Sequence, residues 1–428
     1  MTHTVPVPHG LPTERNAGPF DPPREITELR EVRPVSPLNF PDGHEGRLVT
    51  GYDAVRQVLA DTRFSSRQDL GVLHALDAGP DMPVQTEPSP QIPGMFIAMD
   101  PPDHTRLRRK LISAFTVKRM KQLEEHIIDI AERQLAEMAR RMPPADLVAE
   151  FALPLPSLVI CEMLGVPYAD RVGFQSNSAK FMLREQPIAE KMAAYGAMMA
   201  YLSELVTGKR AEPGDDILSD LARDDDLSIE ELTGISFLLL LAGHETTANM
   251  LALGTFALLE HPDQLAELRA DPDLVPGAVE ELLRYLAVAD IFYRYATEDL
   301  ELGGETIPAG STVVVSLLAA NRDPRRFSAP DTLDVHRTTR GLVSFGHGVH
   351  QCLGQQLARV EMRAGFAALI RRFPTLALAV PASEVKLRTD MNIYGVHELP
   401  VTWTETSWSG GRQCRPCEPA APFAEHNT

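Results

Sequence analysis

One stretch constrains this chain more than any other. Ser228-Ile-Glu-Glu231 reads as a helix start, with serine at the N-cap and glutamate three positions on. Apolar residues then occupy most faces as far as Glu260, where His261-Pro262 stops the pattern. About 33 residues at ~1.5 Å each give a helix of roughly 50 Å, enough to cross the whole molecule. Apolar on most sides, it belongs in a core. Its longest apolar run, Ile235 to Gly243, is far below the ~20 residues a membrane span needs.

The rest of the chain fits a large, mainly α fold with a minor β part. Helical patterns cover about 103–115, 117–142, 145–164, 187–210, 276–287 and 353–373. A short strand at Gly46–Thr50 leads into a helix near Asp53, and residues 300–315 read as strand–turn–strand around Gly303-Gly304. Residues 1–41 hold nine prolines and read as an extended arm, while 71–99 form a long loop. With 44% apolar and 23% charged residues, disorder, collagen and coiled coil are excluded as the main state. The tail after Trp403 is polar and aperiodic, and Cys414 and Cys417 within it lack the further ligands a zinc site needs.

There are 41 Lys+Arg against 59 Asp+Glu, a net charge of −18. This argues against nucleic acid or an anionic membrane as the main partner. Four cysteines in 428 residues make no disulfide framework, and the N-terminus has no apolar signal segment, so the cytoplasm is expected.

Two places carry chemistry. The long helix is interrupted at its centre by Ala242-Gly243-His244-Glu245-Thr246-Thr247. Glycine costs ~1 kcal/mol in a helix interior, and threonine hydroxyls can bond back and bend it. This is either a packing adjustment or a notch with an acid and an alcohol at its edge, suited to handing protons to a small ligand. The second place is Phe345-Gly-His-Gly-Val-His-Gln-Cys-Leu-Gly354. Cys352 stands where the next helix begins, and helix amides and dipole favour a thiolate there. The plainer alternative is a buried, inert cysteine.

Phe345, Gly346, Gly348, His350, Cys352 and Gly354 together resemble the cysteine-ligand signature of the cytochrome P-450 family, the haem-thiolate monooxygenases. Glu281-Leu-Leu-Arg284 is similar to the family's Glu-x-x-Arg pair, Arg337 to the third member of that network, and Ala242–Thr247 to its oxygen-groove motif. The resemblance covers about residues 20 to 403. Residues 94–120 and 393–403 look closest to the soluble actinomycete branch, which hydroxylates macrolides, terpenoids, steroids and drugs.

The resemblance implies one large helical domain with small β-sheets enclosing haem b, spanning 21–405, with residues 1–20 as an arm and 406–428 as a disordered tail. It implies Cys352 as the metal ligand, and His104, Arg108, Arg294, His350, Phe345, Gly243 and Gly348 as cofactor-binding residues, Gly243 leaving room for dioxygen. Thr246 would hydrogen-bond dioxygen and Glu245 would begin a proton relay. Glu281, Arg284 and Arg337 would be structural. Met95, Phe96, Ile97, Leu238, Ala242, Val288, Ile291 and Ile393 would line a pocket for a lipophilic substrate.

No dinucleotide, flavin or iron–sulfur motif is visible in the body, so a separate ferredoxin and its reductase are implied. Arg108, Arg109, Lys110, Lys118, Arg119, Arg359 and Arg363 would form its basic docking patch on a monomeric enzyme. Hydroxylation leads, with epoxidation, oxidative coupling or desaturation as alternatives on the same haem and a non-catalytic haem sensor as the remote one.

Overall fold

The computed structural model describes residues 7–41, 43–70, 90–184 and 186–404. The tail with Cys414 and Cys417, and most of the expected 71–99 loop, lie outside the described residues.

Thirteen helices are used below: α1 Arg24–Val32, α2 Tyr52–Ala60, α3 Asp103–Ile112, α4 Val117–Ala139, α5 Pro154–Leu164, α6 Arg171–Met182, α7 Ile188–Ala211, α8 Ile217–Ala222, α9 Ile229–Glu260, α10 Pro262–Ala270, α11 Val275–Leu286, α12 Leu317–Asn321 and α13 Gln355–Arg372. The long helix is α9. The Ser228 hydroxyl accepts from the Glu231 amide, and the Glu231 carboxylate accepts from the Ser228 amide at 3.1 Å. Helices α5, α7, α11 and α13 pack around α9, and their apolar faces make the main core.

Ten short strands supply the β part: β1 Val35–Asn39, β2 Glu45–Val49, β3 Phe64–Ser65, β4 Ala145–Asp146, β5 Ile291–Ala296, β6 Leu300–Leu302, β7 Glu305–Ile307, β8 Thr312–Ser316, β9 Ala377–Leu378 and β10 Pro400–Thr402. The largest sheet has the order β1-β2-β8-β5-β3. In it β5 pairs antiparallel to β8, placing Ile291 opposite Ser316, while β2 runs parallel to β8. Helix α2 covers one face with Val55, Val58 and Leu59, and α1 covers the other with Ile26 and Leu29.

Three expectations are corrected. Residues 1–41 are not all arm: the prolines at 22 and 23 precede α1, and β1 follows. The helix expected at 145–164 begins only at Pro154. Before it, β4 pairs with β10 and a π-turn spans Val148–Ala152. The 300–315 unit also divides, since β6 and β7 form a hairpin of their own while β8 joins the large sheet. Gly303 and Gly304, at φ 59° and 83°, make that hairpin's turn.

Candidate active site

A cavity of about 750 Å³ lies between the middle of α9, strand β5 and the loop that ends at Cys352. All eight expected pocket residues line it: Met95, Phe96, Ile97, Leu238, Ala242, Val288, Ile291 and Ile393. So do Cys352, Phe345, His350, Arg108, Arg294, Gly243, Glu245 and Thr246.

The cysteine loop is held by backbone geometry. The Cys352 amide donates to the Phe345 carbonyl at 2.8 Å, and Gly346 turns the chain at φ 71°. Cys352 is open to the cavity yet deep in the molecule. Burial pushes its thiol up, against the opposing pull of the Gly354 and Gln355 amides and of Arg108 and Arg359. The helix amides therefore do aim at the sulfur, but alone they do not make it a thiolate. A cationic partner, such as a metal ion at the sulfur, would. Arg359 lies over the Phe345 ring, 4.5 Å from its centre.

Four bases gather beside this loop. Arg108 donates to the Gln351 carbonyl at 2.5 Å, and Arg294 is only 6% exposed. Burial pushes the Arg294 guanidinium down to about 10. Burial, then Arg294, His104 and Arg108, push His350 down to about 3. His104 is buried with both ring nitrogens unpartnered, its ring 4.2 Å from that of His350. It stands behind His350 and off the cavity wall. Among the described residues no carboxylate pairs with any of these four. Two arginines and two imidazoles, with Asp100 the one carboxylate acting on them from a distance, fit a ligand that brings its own anions, and a haem with two propionates has that chemistry. The donor set and the Cys352 sulfur thus fit haem.

The opposite wall carries the acid and the alcohol. Thr246 Oγ1 donates back to the Ala242 carbonyl at 2.9 Å, with its hydroxyl on the cavity side. Glu245 is 4% exposed. Burial pushes its carboxyl up, but the adjacent His244 and the Arg388 guanidinium outweigh this and hold it at about 2. Arg388 Nη2 is 3.0 Å from Glu245, whereas His244 Nε2 is 3.6 Å away, too far for a hydrogen bond, so Arg388 is the stronger partner.

Two glycines serve packing. Gly348 does not reach the cavity wall. Its φ is 74°, and a Cβ there would run into the Leu59 carbonyl at the end of α2, so it serves a tight turn and close packing. Gly243 borders the cavity, but a Cβ would meet Ile160 of α5 at 2.8 Å. Its missing side chain lets α5 approach α9.

Glu281 and its partners form a closed network. Arg284 Nε and Nη2 bond the Glu281 carboxylate at 2.7 and 2.8 Å, and Arg337 Nε bonds it at 3.0 Å. The expected basic patch is smaller than its sequence suggested. Arg108 turns into the cavity, Lys110 pairs with Asp224 at 2.6 Å, and Arg359 pairs with Glu280 at 2.6 Å. Arg109, Lys118 and Arg119 remain exposed, and Arg363 is half-buried.

Sequence reasoning missed Arg388, Arg184, Asn392 and Glu361. Arg184 and Asn392 lie on the cavity wall, and Glu361 does so while fully buried. No local motif marks the first three. For Glu361, an acid on an inward face of α13 was the available signal.

A buried thiol facing an acid and an alcohol on the unbroken helix α9, in a mainly helical fold with four bases beside the thiol, is the layout of a haem-thiolate oxygenase. Residues 197–398 match the family model described as Cytochrome P450. The chain is 46% identical over 407 residues to pentalenic acid synthase of Streptomyces avermitilis, covering 94% of this chain and 98% of that one. It is 47% identical over 405 residues to cytochrome P450 105C1 of a Streptomyces species, covering 94% and 100%. The crystal structure of CYP105P1 in complex with filipin I superposes with a TM-score of 0.87 at 42% identity, covering 93% and 99%. That of the mycinamicin VIII C21 methyl hydroxylase MycCI from Micromonospora griseorubida does so at 0.83 and 38%, covering 90% and 97%. This chain belongs to the cytochrome P450 family. It is a P450 monooxygenase that uses haem iron and dioxygen, takes lipophilic substrates and receives its electrons from redox partners. No described helix is long and apolar enough to cross a membrane.

Proposed function

We propose that this chain hydroxylates a lipophilic secondary metabolite on haem b held by Cys352, as a cytoplasmic monomer fed by a ferredoxin and its reductase. The observation that carries this is the pairing across one cavity of the Cys352 sulfur with the Glu245–Thr246 edge of α9. When bound, haem supplies the oxygen-activating chemistry, and thiolate ligation favours O–O cleavage.

The residues divide the remaining work. Arg108, Arg294 and His350 hold the propionates, and His104 supports His350 from behind. Phe345 and the Arg359 cation over it shield the sulfur side. Thr246 Oγ1, now bonded to Ala242, is placed to turn its hydroxyl toward the cavity and donate there. Glu245 takes up protons and passes them to Thr246 Oγ1 or a water beside it. It reaches neutrality only when Arg388 lets go. The apolar wall from Leu238 to Ala242 and from Val288 to Ile291, with Ile393, excludes water and orients the substrate. Glu281, Arg284 and Arg337 keep the domain, residues 21–405, in register beneath the loop.

The exposed cations Arg109, Lys118 and Arg119 give an acidic ferredoxin a landing surface. Reversing Arg109 and Lys118 to glutamate should slow reduction and flatten its salt dependence, and unchanged rates would remove this surface from the proposal. The whole reading is tested by the spectrum of the reduced protein with carbon monoxide. Wild type should give the long-wavelength Soret band of a thiolate-ligated ferrous haem, and Cys352→Ala should lose it. A histidine-type band in wild type would overturn the assignment.

A further inference from the structure

The chemistry of the substrate's far end is written in one arginine. Arg184 follows α6 and lies on the cavity wall with Met182, Asn392 and Ile393. Nearly every polar group it owns is spent on positioning. Its amide donates to the Asp390 carbonyl at 2.8 Å, and its carbonyl accepts from Lys191 Nζ at 3.1 Å. Next to it, Leu183 bridges to Met391. Its Nε donates to Asn392 Oδ1 at 3.1 Å, which fixes the plane of the guanidinium. The two Nη groups are left over, and they have no partner among the described residues.

The acids on this wall are accounted for, Glu361 by a burial that holds its carboxyl well above the ordinary range. Glu245 is paired with Arg388, and Asp290 accepts from the Ser316 hydroxyl at 2.8 Å and the Leu318 amide at 2.7 Å. Arg108, Arg294 and His350 belong to the Cys352 loop. Arg184 is therefore the oriented wall cation that neither a carboxylate among the described residues nor the propionates claim. A guanidinium held by Nε with both Nη free presents the two-pronged donor edge that carboxylates accept.

We infer that Arg184, braced by Asn392, binds a carboxylate on the substrate, so that the enzyme takes amphipathic acids whose apolar body extends into the cavity. This rests on the reading of the cavity as the oxidation site. An acid carries its charge into a pocket that is otherwise apolar along Leu238, Val288 and Ile393. The one site on that stretch of wall that repays its lost hydration is the free fork.

The test uses haem-loaded, full-length protein and three probe pairs: dodecanoic, biphenyl-4-carboxylic and abietic acids, each against its methyl ester. Binding is read by the spin-state shift of the Soret band and independently by calorimetry. Wild type should bind at least one acid about tenfold more tightly than its ester. Arg184→Gln should bring that ratio near one while leaving ester affinity unchanged, and Arg184→Lys should keep part of it. Three outcomes overturn the inference: no pair prefers the acid, the preference survives Arg184→Gln, or the substitution weakens acid and ester alike. The last would make Arg184 only a brace for the cavity mouth. A wild type without the thiolate-type carbon monoxide band would instead overturn the oxidation-site reading, and calorimetry would still decide the acid preference.

Discussion

Replacing Arg388 with methionine isolates the electrostatics of the proton-handling edge. In the native protein the Glu245 carboxyl sits at about 2 although it is only 4% exposed, because His244 and Arg388 together outweigh its desolvation, Arg388 at the shorter distance of 3.0 Å. Two to three pH units below the ordinary glutamate value, at about 1.4 kcal/mol each, amount to roughly 3 kcal/mol. That agrees with the ~3–5 kcal/mol lost when one partner of a buried ion pair is removed. Methionine keeps most of the side-chain volume, so the effect is electrostatic. The native contribution is fully present above the ordinary glutamate range and fades as pH falls from there toward about 2. In the variant, burial is opposed by His244 alone, so the folded carboxyl rises from about 2 and less of that contribution remains. Urea unfolding of haem-loaded wild type and Arg388→Met should therefore show a gap of about 2–3 kcal/mol at pH 7 that narrows steadily toward pH 4. Adding Glu245→Gln should recover much of it, since no buried charge is then left alone. A gap below ~0.5 kcal/mol, or one that ignores pH, would refute the reasoning.

Three further outcomes are expected. Arg284→Met leaves Glu281, which is 0% exposed, with only Arg337 and the Asp334 amide to hold it; denaturant unfolding should register a loss of ~3–5 kcal/mol, and a loss under ~1 would show the network to be ornamental. Glu361 is fully buried and burial holds its carboxyl well above the ordinary range, so the native fold is penalised increasingly as pH rises past that range. Glu361→Gln should accordingly be more stable than wild type by a margin that grows from pH 5 to pH 8, and a constant margin counts against a neutral native acid. Gly348→Ala should lower the melting temperature because it meets both a left-handed φ of 74° and the Leu59 carbonyl, whereas Gly354→Ala, with nothing within 4 Å, should hardly move it. Equal melting temperatures would contradict the packing assigned to the loop.

What could be read in the sequence was what local order dictates. The capping box and unbroken apolar content of α9 need no tertiary information, and the glycines around Cys352 announce a tight loop before a helix. What failed was decided at long range. Residues 145–152 look helical, yet Asp146 accepts amide hydrogens from Val148 at 3.0 Å and from Leu399 at 2.9 Å, and β4 pairs with β10 more than 250 positions away. Helix α6 went unread because it buries only Phe174, Ser178 and Met182 along a thin stripe. Lys110 and Arg359 read as free cations because their acids, Asp224 and Glu280, lie 114 and 79 residues distant.

The same reasoning explains why the motif residues were legible and their partners were not. Glu245, Thr246 and Cys352 sit where local sequence marks them: the middle of a long core helix and the approach to a helix start. Arg388 and Arg184 are selected only by charge balance in the folded cavity, which no window of sequence contains. Arg388 lines a neighbouring cavity that it shares with Glu245, and Arg184 lines the main one. One pairs with Glu245, and the other waits for an acid this chain does not own. If both assignments hold, reversing them is instructive. Arg388→Met should change the pH dependence of stability without altering acid-over-ester preference, and Arg184→Gln should do the opposite. Cross-effects of similar size on both readouts would mean that the two arginines share one field, and that the cavity cannot be divided into a proton side and a substrate side.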